Sequence, residues 1–192
     1  MYAARVALRD AVLAALLGGE SSGYDLAKSF DASVANFWTA TPQQLYRELD
    51  RLAADGLIRS RIVQQERRPN KRMYSLTEAG HDAIRAFTAR PPKPSTIRDE
   101  LLIKVNAVDA GDAAAVRELV ADQLRWATEK LARYERMRDR MLGGRTEAEY
   151  LRDSSRVGPY LTLLRGISFE QENIRWAEHT LSVLEHRSAV RG

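Results

Sequence analysis

The sequence predicts a mainly α-helical protein with one small β-hairpin, ending in a purely helical second half. Three observations predict it. Apolar residues recur at intervals of three and four along most of the chain, the spacing of helices with one buried face. That rhythm breaks between Leu57 and Leu76, where LIRSRIVQQE and RMYSL alternate loosely around the turn signal RRPNK. Finally, ARPPKPS at 89–95 interrupts the chain near its middle, because proline cannot continue a helix. The boundaries that follow are 1–90 for a mixed unit and 91–192 for a helical one.

Composition narrows the class. A hydrophobic content of 44% in 192 residues supports a real core. The chain has no cysteine. That excludes disulfides, thiolate chemistry and cysteine-ligated zinc, and fits a reducing interior. The apolar stretch AVLAALL at 11–17 is too short to cross a bilayer, and no clear cleavage pattern follows it. The expected setting is cytoplasmic, with no membrane partner.

The elements come in a definite order. Arg5 to Leu17 carries Leu8, Val12 and Leu16 on one stripe and stops at Gly18-Gly19. Ser21-Ser22-Gly23 offers a cap for a short helix with Tyr24, Leu26, Ala27 and Phe30, and a loop through Asn36, Phe37 and Trp38 follows. In the third helix Thr41 is a good N-cap, Pro42 suits the first turn, and Gln44 completes a capping-box spacing. Leu45, Leu49 and Leu52 form its buried stripe, and Asp55-Gly56 ends it. The hairpin comes next, and Thr77 caps a further helix, TEAGHDAIRAFTAR. Beyond the prolines, Ser95 to Asn106 is a short amphipathic piece. A long helix spans Asp112 to Leu142, with Val120, Leu124, Ala127, Leu131, Tyr134 and Met141 on one stripe and Arg138 in one seat. After Gly143-Gly144, a last helix from about Val157 to His186 repeats the pattern with Tyr160, Leu163, Ile167, Ile174, Ala177, Leu181 and Leu184; Glu170 interrupts it. Two such helices joined by a short break predict an antiparallel hairpin. A second copy of the chain would cover the stripes, so the expected dimer interface is Val120, Leu124, Ala127, Leu131, Tyr134, Tyr160, Leu163, Ile167, Ile174 and Leu181.

Charge placement points to a partner. Between Arg59 and Arg72 six cations, Arg59, Arg61, Arg67, Arg68, Lys71 and Arg72, face one acid, Glu66. This local excess is larger than the net +4 of the whole protein, and such a patch suits a polyanion. Helix, helix, capped helix and basic hairpin together describe a winged helix-turn-helix. A helix that enters a DNA major groove buries one face on its own domain and offers the other to bases and phosphates. Opposite the leucines lie Gln43, Tyr46, Arg47 and Asp50, with Gln44 and Arg51 at the margins. Glutamine can bond adenine twice, and arginine guanine twice. Tyr46 and Arg51 suit phosphate, as does the helix N-terminus. The candidate DNA contacts are Tyr24, Thr41, Gln43, Gln44, Tyr46, Arg47, Arg51, Arg67, Arg68, Lys71 and Arg72, from a recognition helix at 42–54 and a wing at 59–76.

Catalytic patterns are lacking. His81, His179 and His186 have no metal-ligand spacing, and Gly18-Gly19 and Gly143-Gly144 lack the flanks of a phosphate loop. No enzyme activity and no cofactor are expected. The competing reading is a winged-helix module that binds proteins without specific DNA binding.

The same residues resemble a family. Gly23-Tyr24-Asp25-Leu26, Leu45-Tyr46, Leu49, Arg51-Leu52, Gly56-Leu57-Ile58 and Tyr74-Ser75-Leu76-Thr77-Glu78-Ala79-Gly80 are similar to the DNA-binding domain of the PadR family of bacterial transcriptional regulators, over residues from about 8 to 88. IRDELLIKV and the two long helices resemble the larger subgroup with an extended C-terminal domain. TPQQLY departs from the small Gly-Ser type start of many members, which touches the bases read rather than DNA binding itself. The resemblance implies a dimeric repressor on a roughly palindromic operator, nucleoid-associated when bound, with C-terminal helices making the dimer. It also implies a small planar hydrophobic or phenolic effector near the dimer interface. Trp126 and Trp176 are the candidate ligand walls, with Tyr134 and Tyr160 close by in sequence.

Overall fold

The computed structural model describes residues 2–33, 40–64, 70–92 and 98–191. The expected loop at Asn36, Phe37 and Trp38 and the wing-tip residues Arg67 and Arg68 lie outside the described residues. The chain divides into two compact units, Met1–Pro94 and Ser95–Gly192.

In the first unit the order is α1 (Tyr2–Leu16), β1 (Ser21–Ser22), α2 (Gly23–Ser33), α3 (Pro42–Ala54), β2 (Ile58–Val63), β3 (Lys71–Leu76) and α4 (Glu78–Thr88). The capping box of α3 forms as its spacing predicts. The Thr41 hydroxyl accepts from the Gln44 N–H at 3.2 Å, and the Gln44 side chain accepts from the Thr41 N–H at 2.9 Å. Leu45, Leu49 and Leu52 are buried with Val12, Leu13 and Leu16 of α1, Leu26 of α2, Ile58 of β2 and Tyr74 of β3. Fully burying a leucine contributes about 1.5–3 kcal/mol. Glu48 joins that buried face, only 7% exposed, and its Oε1 has no hydrogen-bond partner among the described residues. The apolar pattern hides this residue, because a stripe read from leucines alone passes over a carboxylate one turn after Leu45.

The expected two-stranded hairpin is a three-stranded antiparallel sheet, ordered β1-β3-β2. Ser21 and Ser22 pair with Tyr74 and Met73. Two residues are too few to show a period, and their serines signal a cap. Ser22 does that as well, its hydroxyl accepting from the Asp25 N–H at 3.1 Å. At the far end of the sheet, the Thr77 hydroxyl donates to the Gly56 carbonyl at 2.7 Å and accepts from the Gly80 N–H at 3.2 Å. This draws α4 so close that a Cβ on Gly80 would lie 2.2 Å from the Leu57 carbonyl oxygen. Asp10 of α1 is buried and faces Arg90, just past α4, at 3.6 Å. Burial pushes its carboxyl above the usual range, against the opposing charges of Arg90 and Arg9.

The second unit contains α5 (Glu100–Asn106), α6 (Ala113–Leu142), α7 (Glu147–Asp153) and α8 (Gly158–Arg191). The start of α6 packs on the end of α8 through Val116, Val120, Ala177 and Leu184. The end of α6 packs on the start of α8 through Tyr134, Leu163 and Ile167. The pair is therefore antiparallel. Between the two clusters Lys130 meets Glu170 at 2.7 Å, and Asn173 donates to the same carboxylate at 3.0 Å. Glu170, which interrupts the apolar repeat, is only 3% exposed. Burial opposes the charge of Lys130, but the bond to Glu170 and its charge outweigh that and hold the ammonium above its ordinary pKa. The helix α7 has no counterpart in the sequence reading. It is seven residues long, and its signal is the capping box of Thr146 and Glu149. Its Tyr150 ring lies 4.9 Å from that of Tyr160 and closes the turn end of the hairpin.

Gly80→Ala forces a Cβ onto the Leu57 carbonyl and lowers the unfolding free energy of the first unit by about 1–3 kcal/mol in urea titration. Glu170→Ala strands the half-buried Lys130 and costs about 3 kcal/mol, whereas Lys130→Met with Glu170→Leu leaves stability nearly unchanged.

Candidate nucleic-acid interface

With the leucine face of α3 buried, geometry sends the opposite face outward. Gln43, Gln44, Tyr46, Arg47, Asp50 and Arg51 are all exposed. Arg47 donates to the Gln43 carbonyl of its own helix at 3.4 Å and has no acidic partner among the described residues. Arg51 faces Asp55 one turn on, at 3.9 Å. The Gln44 amide oxygen is engaged in the cap, which leaves its NH₂ group for a ligand. Thr41 likewise acts first as the cap that begins α3, its hydroxyl taking the Gln44 N–H.

Tyr46 and Tyr24 meet this surface where α2 begins. Tyr24 is 68% exposed and Tyr46 43% exposed. The Tyr46 ring lies over Gly23, so close that a Cβ there would stand 2.3 Å from its Cε1. The Gly-Tyr pair at the start of α2 thus makes room for the tyrosine of α3, a contact between elements that no local pattern in the sequence shows.

The strands carry their cations with partners, and one of them reaches this surface. Arg72 of β3 donates to Asp50 of α3 at 2.8 Å, and its guanidinium lies 5.2 Å over the Tyr74 ring. Lys71 reaches Asp25 of α2 at 2.6 Å, and Ser22 donates to the same oxygen at 2.7 Å. Those two hydrogen bonds, Lys71 first, hold the Asp25 carboxyl below the usual carboxylate range. Arg61 donates to Glu20 at 2.7 Å and holds that carboxyl down too, mainly through this hydrogen bond. Counting charge along the strands missed these acids, because Glu20, Asp25 and Asp50 precede the hairpin in the chain and join it only in the fold. Exposed pairs of this kind are weak, so a phosphate competes easily for Lys71 and Arg61, whereas Arg72 has the Tyr74 ring as a second contact.

In the helical unit, Val120, Ala127, Tyr134, Tyr160, Leu163 and Ile167 are buried. Leu124, Leu131, Ile174 and Leu181 are half-buried. The packing clusters join these two stripes within one chain, so the second helix of the same hairpin covers the predicted dimer seam. The two tryptophans part company. Trp176 packs against the Val116, Val120, Ala177 and Leu184 cluster, whereas Trp126 is 69% exposed beside Leu119. A shallow groove at Trp126 is lined by Leu119, Asp122, Gln123, Arg125 and Glu129, all from α6. No helix among the described residues is long and apolar enough to cross a membrane.

Three helices with a capped third helix turned outward beside a cation-bearing β-ribbon define a winged helix-turn-helix protein, here followed by a helical hairpin. Residues 12–86 match the transcriptional regulator PadR-like family, and residues 97–185 match the virulence activator alpha C-terminal family. A probable transcriptional regulator of Mycobacterium tuberculosis is 30% identical, the match covering 95% of this chain and all (100%) of that one. Bacillus subtilis PadR, described as a negative transcriptional regulator, has been solved with operator DNA and with p-coumaric acid. Its operator complex is 28% identical with a TM-score of 0.75, over 93% of this chain and 99% of that one. The Vibrio cholerae virulence activator AphA is 27% identical with a TM-score of 0.67, over 94% and 99%. The chain belongs to the PadR-like family of transcriptional regulators, which are not enzymes.

In Lys71→Ala, the Asp25 carboxyl titrates at higher pH than in the unaltered protein, followed by carboxyl-carbon NMR. An unmoved titration would mean that the pair does not form in solution.

Proposed function

We propose that this chain is a sequence-specific, homodimeric DNA-binding repressor of a roughly palindromic operator. The α3 helix lies in the major groove, and the wing at 59–76 follows the neighbouring backbone. The observation that carries the reading is the placement of Gln43, Tyr46 and Arg47 outward on the surface where Arg72 reaches Asp50 of the same helix. Within that surface Arg47 is the base-reading cation, being exposed and free of an acid among the described residues. Tyr24, Arg51 and the wing residues, including Arg67 and Arg68, serve the phosphates. The operator complex of Bacillus subtilis PadR supports DNA as the partner, and its description as a negative regulator supports repression. The cytoplasm is the setting for such work.

The helical unit supplies the second-copy contact in this reading. The stripe from Val120 to Leu181 builds the hairpin, and the hairpin presents outward apolar residues such as Leu119, Phe169 and Val183 to the partner chain. A small planar or phenolic effector, as the p-coumaric acid complex of the Bacillus subtilis protein suggests, finds the exposed Trp126 as its stacking wall, while Trp176 belongs to the packed interior of the hairpin.

Binding to duplex DNA should weaken steeply as salt rises, with a log-log slope that reports several released counterions. Arg47→Ala should relax preference at one operator position and cost about 1–3 kcal/mol there. A flat salt response would instead favour a protein-binding winged helix. Equal weakening on every sequence would move Arg47 to a phosphate.

A further inference from the structure

Asp50 stands on the outward face of α3, one turn beyond Tyr46 and between Arg47 and Arg51. A carboxylate there has the wrong sign for a surface that meets a polyanion. Yet it is not idle. Its Oδ1 accepts from Nη1 of Arg72 at 2.8 Å. The same guanidinium carbon lies 5.2 Å from the centroid of the Tyr74 ring. Tyr74 is a fixed platform. It is buried, and its backbone sits in the middle strand, opposite Ser21 on one side and Ser60 on the other. Arg72 is therefore held between a carboxylate and a ring, two contacts that the several donors of one guanidinium can make together and a lysine ammonium reaches less readily. Its neighbour Lys71 is held differently, by Asp25 at 2.6 Å on the α2 side of the sheet.

We infer that Asp50 is a positioning residue for sequence recognition: by holding the Arg72 guanidinium where the wing meets α3, it raises discrimination between DNA sequences although its charge opposes DNA. The inference rests on the DNA-binding reading above. A free arginine follows phosphates wherever they lie and favours all sequences alike. An arginine fixed before binding has lost its side-chain freedom in advance, and it meets only those groove shapes that bring an acceptor to it. Removing the carboxylate thus has two opposite effects. Loss of repulsion tightens binding to any duplex, while loss of the anchor weakens binding to the right one. A simple surface charge would show only the first.

The test uses the full-length protein and duplexes that the unaltered protein enriches from a random-sequence pool. Affinity is measured for the enriched duplex and for its scrambled counterpart at one salt concentration. Asp50→Asn should bind the scrambled duplex at least as well as the unaltered protein and the enriched one less well, so that the ratio falls about fivefold or more. Arg72→Lys keeps the charge and should lose the ratio similarly, and the double variant should lose no more than either single one. Since Asp50 and Arg72 are exposed, thermal unfolding should be close to unaltered in all three. An intact ratio in Asp50→Asn, or parallel tightening on both duplexes, would overturn the positioning role alone. If the unaltered protein enriches no sequence, the DNA-binding reading falls and takes this role with it.

Discussion

The first unit depends on one buried contact, the packing of Leu45, Leu49 and Leu52 of α3 against α1, α2 and β2. These three side chains choose which side of the helix meets solvent. A helix has only one rotation that buries a given stripe, so the same burial that holds the unit together aims Gln43, Tyr46 and Arg47 outward. Stability and recognition are in this sense the same constraint. The capping box adds to it, because it starts α3 cleanly at Thr41 and satisfies the Gln44 N–H there. Glu48 marks the limit of the arrangement, a carboxylate carried into the protein by its place in the turn.

Around that helix the protein has mixed acids into a cationic surface. Asp25, Asp50 and Glu20 each hold one cation of the sheet. The pairs link β3 to α2 and α3, and β2 to the residue before β1, so they tie the ribbon to the helices as well as tempering its charge. A uniformly cationic wing would bind any polyanion. A wing whose cations are held by acids keeps attraction at short range and gives it a direction. The Gly23–Tyr46 contact works at the same corner and brings the start of α2 against the outward helix.

In the helical unit the corresponding constraint is polar. The apolar clusters of α6 and α8 are separated by Lys130, Glu170 and Asn173. Purely apolar stripes can slide by a repeat at small cost. A buried carboxylate cannot, because in any other register Glu170 would face apolar side chains without Lys130. The ion pair thus contributes less to stability than to a single alignment of the two helices, and alignment decides which residues, Trp126 among them, face outward.

Much was legible in the chain. Periodicity, caps and glycine stops located α1, α3, α4 and α6 to within a few residues, because those signals act within one or two helical turns. The outward face of α3 followed from its leucines by the same local geometry. What no pattern in the sequence carried was contact between elements: the two-residue strand β1, the short α7, Tyr46 over Gly23, and the pairing of Arg72 with Asp50 across 22 positions. The fate of the apolar stripes belongs here as well, since their period says that something covers them and not whether it is the same chain or another. Local spacing by itself determined helices, caps and faces, because backbone hydrogen bonding and side-chain period are short-range. Only the tertiary structure decided which charge meets which, because ion pairs depend on distances that the fold sets and the order of residues does not.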